Sequence, residues 1–296
     1  MTFFSAQNII TGVQSFNGHR EIEPLFCGER QHMNYRLISN TLGYVLWVEA
    51  GFLLLPCLVS LLTGDGCLLP FAESILLCLL GGFLLRMIPV RNRQMQSRDG
   101  YAAVALAWIA LALFGAVPYL LSRTIPHYAD ALFETISGLT TTGSTILSSV
   151  EDLPKSILFW RSQTQWMGGM GVLVLFLALM PKLGANAVHL MRAESPGPIK
   201  SKLVPKVGDT AKILYAIYGG LTALEAISLR IAGMGWFEAI THSFTTLATG
   251  GFSIKNNSIA FYVDRPAIVW IITVFTFLAG VNFSLVFWLI RGHIKD

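Results

Sequence analysis

The chain has 296 residues, of which 53 % are apolar and 13 % charged. That is about half the ~25 % charged share of a soluble domain and excludes an ordinary water-soluble fold. The formal net charge of +4 comes from Lys and Arg gathered in a few loops between apolar blocks, so membrane topology explains it and no nucleic-acid partner is expected.

Residues 1–32 are polar, mixed in charge and without the apolar core of a secretory signal. They read as a polar tail or as sequence upstream of the true start at Met33, the second being the reading we favour. Apolar blocks then run over Thr41 to Thr63, Pro70 to Val90, Tyr101 to Leu121, Lys155 to Pro181, Ala211 to Met234 and Ala267 to Ile290. Each is expected to cross a hydrocarbon core that needs about 20 helical residues. Arg91, Arg93 and Arg98, with Arg86 just before them, occupy one short loop, and Lys182, Arg192, Lys200, Lys202 and Lys206 another. The positive-inside rule makes both loops cytoplasmic, together with both termini, and leaves the connections after Leu121 and Met234 outside. Glu49, Glu73, Arg161, Glu225 and Arg230 lie in or near the spans and should face protein or water; Arg86 and Arg230 can also snorkel to an interface.

The two outer connections carry a repeat. DALFETISGLTTTGS, Asp130 to Ser144, returns ungapped as EAITHSFTTLATGGF, Glu238 to Phe252, at a constant offset of 108. Neither copy is long or apolar enough to span, and each sits between segments that are. A half-length helix followed by a Thr/Gly-rich return is what a re-entrant pore segment requires, because irregular backbone at membrane depth is tolerated only where it lines a water-filled path. Glycine frees the backbone to aim carbonyls one way, threonine adds hydroxyl oxygens, and such a ligand set suits a weakly hydrated monovalent cation. Found once, LTTTGST would pass for a surface loop. The helices that follow repeat as well: WMGGMGVLVLF, Trp166 to Phe176, aligns with FLAGVNFSLVF, Phe277 to Phe287, at offset 111. Gly168, Gly169 and Gly171 are read as helix-packing positions, and Asn282 as facing the cavity or bonding between helices. Arg161, with Gln163 and Gln165, is expected to brace the pore loop. Glu134 is expected to be a cap or packing partner rather than an ion ligand, and its counterpart His242 to make a packing contact or local hydrogen bond rather than bind metal. Cys27, Cys57, Cys67 and Cys78 form no CxxC, and the six histidines show no ligand spacing, so neither a disulfide nor a zinc framework is expected.

FETISGLTTTGST, QWMGGMGVLVL, MRAESPGPIK and HSFTTLATGGFS together resemble the membrane subunit of bacterial Trk-type potassium uptake systems, the TrkH family, with the KtrB and plant HKT proteins as relatives. The resemblance runs from about Met33 to the end. It implies an all-α integral membrane protein: two leading transmembrane helices (33–96), a first helix, re-entrant pore helix, helix repeat (97–190), a cytoplasmic loop (191–208) and a second such repeat (209–296). By position it makes Thr141, Thr142 and Gly143, with Thr249, Gly250 and Gly251, the potassium-contacting residues. By the same resemblance, glycine at 143 is expected to be the potassium-permissive form. The resemblance also implies a bacterial inner-membrane location, a homodimer and a cytoplasmic TrkA-type nucleotide-binding regulatory partner. Potassium is the transported ion, and no cofactor is expected.

The family has four helix-pore-helix units and this sequence shows two. The expectation is therefore a truncated potassium-uptake subunit, with two alternatives: a half-size subunit whose dimer completes the pore, or a non-transporting structural membrane protein. No nucleophile, acid/base pair or metal cluster suggests an enzyme.

Overall fold

Asn34 opens the first helix, α1 (Tyr35–Thr63), by accepting the Leu37 N–H on its side chain at 3.2 Å. Gly64, left-handed at φ 64°, closes it by donating to the Ser60 carbonyl. The computed structural model describes residues 33–90, 97–169, 171 and 207–281. Outside these lie the 1–32 tail, Arg91 and Arg93, the MRAESPGPIK loop with its lysines, Asn282 and the basic C-terminal end.

α2 (Leu68–Arg86) packs along α1 with Gly43 against Gly82. A Cβ on Gly82 would come within 2.7 Å of the Gly43 carbonyl oxygen, so the helices approach to backbone contact. The Arg86 guanidinium lies 4.0 Å from the Tyr44 ring centre and 4.1 Å from that of Trp47. α3 (Ser97–Gly115) and the short α4 (Val117–Leu121) follow, broken at Ala116 just before Pro118. Among the described residues three stretches, Tyr35–Thr63, Leu68–Arg86 and Arg98–Leu121, are long and apolar enough to cross a membrane. Leu54, Leu62, Leu69 and Leu84 are exposed on them, as a lipid-facing surface requires.

The remaining helices repeat at the predicted offsets. α5 (Tyr128–Leu139) and α8 (Trp236–Leu247) each have 12 residues and differ by 108 at both ends. α6 (Lys155–Gly169) and α9 (Pro266–Gly280) each have 15 and differ by 111 at both ends. Between the pairs runs α7 (Val207–Ile231); a 3₁₀ turn, Ser258–Tyr262, precedes α9. Of the expected spans Lys155 to Pro181 and Ala267 to Ile290, the described residues are 155–169, 171 and 267–281. Both helices stop after about 22 Å, at Gly169 and Gly280. Gly171 is left-handed at φ 69° and Val281 is extended at ψ 142°. The apolar run continues past both points, but hydrophobicity carries no record of a backbone break.

α6 is the centrepiece, packed on α1, α5 and α8. Asp65, in the α1–α2 turn, accepts the Ser156 N–H at 2.9 Å and so caps the N-terminal turn of α6 from outside the helix. Trp160 donates its indole N–H to the Gly115 carbonyl at 2.9 Å, and Gln163 donates to the Phe52 carbonyl at 3.0 Å. At the other end, a Cβ on Gly168 would fall on the Leu139 carbonyl, and one on Gly169 would lie 2.8 Å from the Cα of Ala248. The two glycines thus let α6 wedge against the C-terminal ends of both short helices, as packing positions.

Candidate functional site

The loops leaving α5 and α8 have the same backbone. Thr141 and Thr249 are left-handed at φ 53° and 52°, Gly143 and Gly251 at 76° and 79°, and the residues between them are not. A non-glycine residue in this region is uncommon, so finding one at matching positions in both copies marks an imposed conformation. Hydrogen bonds match too. Thr141 N–H donates to Gly138 O at 2.9 Å and Thr249 N–H to Thr246 O at 2.8 Å; Thr142 N–H donates to Ser137 O and Gly250 N–H to Thr245 O, both at 2.9 Å. Each short helix thus binds the N–H groups of its own loop. An alternation in the sign of φ turns successive carbonyls toward one side. Thr142, Thr249 and Gly251 are exposed.

The two loops meet. A Cβ on Gly143 would fall on the Gly250 carbonyl oxygen, whereas one on Gly251 would have nothing within 4 Å. The first loop is therefore covered by the second, and the equivalent side of the second is open.

Behind the loops lies a buried polar brace. Arg161 Nε is 2.6 Å from Glu134 Oε1, and the side chains are 3 % and 0 % exposed. Glu134 also accepts from the Thr145 hydroxyl at 2.9 Å and from the Ile146 N–H at 3.2 Å, which ties it to the first loop's outward limb. Arg161 reaches the other limb, donating to the Ser253 carbonyl at 2.9 Å with its guanidinium 3.7 Å from the Phe252 ring centre. Glu134 is thus a packing partner whose carboxylate is paired with an arginine. One turn along α6, Gln165 Oε1 accepts the Phe252 N–H at 3.1 Å.

In the second copy His242 donates from Nδ1 to the Glu238 carbonyl at 2.8 Å, the expected local bond, and its Nε2 lies 3.5 Å from the Ser253 hydroxyl. Glu134 with Thr145 and His242 with Ser253 are therefore equivalent contacts made by different chemistry. On the outward side, Glu238 pairs with Lys255 at 3.0 Å and accepts from the Tyr262 hydroxyl at 3.2 Å. Asn256 accepts the Val150 N–H at 2.8 Å, and its own N–H donates to Glu151 Oε1 at 3.2 Å. A cavity of about 150 Å³ between the outward limbs is lined by Gly143, Arg161, Gly251, Phe252, Ser253 and Lys255, among others.

All six predicted site residues lie on these two loops. Asp65 and Asn256 were not foreseen: their partners are 91 and 106 residues away, and neither position is shared between the repeats. Among the described residues no group of three or more His, Cys, Asp or Glu is placed to hold a metal ion.

A family model described as "TrkH: Cation transport protein" matches residues 70–295. The Trk system potassium uptake protein TrkH of Salmonella typhimurium is 41 % identical over 265 residues, covering 88 % of this chain and 54 % of that protein. TrkH of Halomonas elongata is 41 % identical over 259 residues, covering 86 % and 53 %. The crystal structure of the potassium transporter TrkH from Vibrio parahaemolyticus superposes with a TM-score of 0.74 at 36 % identity, covering 89 % of this chain and 54 % of that one. The chain thus spans about half the length of the curated relatives it matches. With these relatives and its apolar helices, it is a multi-pass membrane protein.

Proposed function

Since the chain belongs to the TrkH family of cation transport proteins, we propose that it supplies part of a potassium pathway, with Thr141, Thr142, Gly143, Thr249, Gly250 and Gly251 as filter residues. The observation that carries this reading is the duplicated loop, left-handed at Thr141 and Gly143 and again at Thr249 and Gly251. Backbone so constrained, twice, supports a row of carbonyl oxygens replacing an ion's hydration shell. α5 and α8 are half-length helices whose C-terminal ends feed these loops, and the partial negative charge there favours a cation. Glu134 is neutralised by Arg161, which leaves neutral oxygens, the ligand set of a monovalent ion.

Two limbs make half of a fourfold oxygen ring. The open side of Gly251 fits a further limb lying there, as Gly250 lies beside Gly143. In this reading 97–190 and 209–296 are the first two helix-pore-helix units. The membrane is the bacterial inner membrane, both termini are cytoplasmic, and the complete protein is a dimer regulated by a TrkA-type nucleotide-binding partner. Transport, not catalysis, is the activity.

The test joins this chain to the C-terminal half of Vibrio parahaemolyticus TrkH in a potassium-uptake-deficient bacterium. Growth at low potassium and rubidium uptake are expected, with loss of rubidium preference in Gly143→Ser. Normal folded protein with no rubidium uptake would refute the reading.

A further inference from the structure

Gln165 is 0 % exposed, and its carboxamide is committed at one end only: Oε1 accepts the Phe252 N–H at 3.1 Å, while Nε2 has no hydrogen-bond partner among the described residues. The amide orientation follows from that bond, since only the oxygen can accept from a backbone N–H. The carboxamide occupies the space a Gly250 side chain would need, and Nε2 lies 3.7 Å from the Cβ position of Gly143. One side chain therefore touches both loops where they abut. Its position in the second repeat, at offset 111, is Thr276, whose hydroxyl donates to the Ile272 carbonyl of its own helix at 2.8 Å. Among the described residues the second repeat has no matching carboxamide at this position.

We infer that Gln165 is a specificity-determining positioning residue: its carboxamide, wedged between Gly143 and Gly250, fixes the separation of the two filter limbs and thereby the ion preference. It contacts no ion. The bond to Phe252 holds the second limb's backbone just beyond Gly251, and the body of the carboxamide stops that limb from collapsing toward α6. A buried amide donor facing two glycines is tolerable only if it is used, since an unpaired buried donor is costly. Losing the spacer changes ring width, to which a small, strongly hydrated ion and a larger, weakly hydrated one respond differently.

This inference rests on the filter reading, and the experiment separates the two. In the full-length chimera described above, sodium and rubidium uptake are measured per folded transporter. Gln165→Leu keeps similar bulk and removes both polar atoms. Its sodium-to-rubidium ratio should rise on the order of fivefold, the factor that one lost hydrogen bond corresponds to. Gln165→Glu, assayed at acid pH so that its carboxyl is neutral, keeps an acceptor and a donor at the same reach and should stay within about twofold of the parent, a distinction that a purely structural role would not produce. Should Gln165→Leu not reach the membrane, Gln165→Asn, too short for the Phe252 N–H, is read by the same ratio with the same expectation. An unchanged ratio in these variants beside a raised one in Gly143→Ser overturns the role of Gln165 alone. Unchanged ratios in all of them overturn the filter reading itself, and equal shifts for Leu and Glu overturn the hydrogen-bond argument.

Discussion

Arg161 and Glu134, 27 residues apart and both buried, form one ion pair whose remaining hydrogen bonds end on different loops: Glu134 on Thr145 and Ile146, Arg161 on Ser253. Removing either partner leaves an uncompensated buried charge, which costs about 3–5 kcal/mol. Glu134→Ala and Arg161→Ala should therefore lower the thermal unfolding temperature of the purified protein, and Glu134→Gln, which also leaves the Arg161 charge uncompensated, should lower it too but by less than Glu134→Ala, because it still accepts from Thr145. The charge-swapped double variant should fail to recover stability. Position 134 must accept from the Thr145 hydroxyl and the Ile146 N–H, and position 161 must donate to a carbonyl. Recovery in the swap would show that only the charges matter.

Gly143 and Gly251 share a left-handed backbone but not their surroundings. Any side chain is strained at both, by roughly 1–2 kcal/mol, yet only at Gly143 does the Cβ collide with a backbone oxygen. Gly143→Ala should lower folded yield and shift the ion ratio, whereas Gly251→Ala in the isolated chain should cost only the strain. Denaturant or thermal midpoints in detergent separate them. Equal losses would mean that the two loops do not abut. Gly168→Ala, which overpacks α6 against Leu139, should cost about 1–3 kcal/mol without altering the ion ratio in the chimera.

Asp65 lies in a turn outside the spans. Burial raises its carboxyl pKa, but hydrogen bonds from Ser60, Ser156 and Cys67 outweigh this and hold it below the ordinary aspartate value. A depressed carboxylate contributes stability that is present above the unfolded pKa of about 3.9 and is lost as pH falls through the lower folded value. Asp65→Asn should thus be less stable than the parent at pH 7, with the gap closing only below about pH 4. Thermal midpoints across that range decide it; a gap that closes above pH 5 would contradict the assignment.

Ser148 and Asn257 are both exposed, on connections joined by the Val150–Asn256 bond. Cysteines at the two positions should react alike with an impermeant maleimide applied to intact cells. A cysteine at Lys200 should react only after permeabilisation. Labelling at Lys200 alone would invert the orientation.

The repeat, the lengths of its short helices and both offsets were legible in the sequence, because helix-loop geometry of this kind is written in local residue order. Helix ends were not: α6 and α9 stop at Gly169 and Gly280 inside runs that stay apolar. The brace was half legible. A buried arginine and glutamate announce that they need partners, but nothing in local order says that Arg161 chooses Glu134, or that its second contact is a carbonyl 92 residues away. A brace on the pore loop is expected of Gln165 from its polar stretch, but its place between the two loops arises from the packing of α6 on both short helices.

The second Thr/Gly loop is steadied by side chains of the first unit's helix, Arg161 and Gln165, while the corresponding positions on α9 hold Ile272 and Thr276. The two units are consequently not interchangeable modules. A permuted gene that places the second unit ahead of the first would keep every helix yet break the order in which support is handed along. Two tandem copies of the second unit alone would have matching loops and no guanidinium or carboxamide behind either. Engineering of this scaffold by shuffling repeats must carry α6 with the loop that follows it in space, not with the loop that precedes it in the chain.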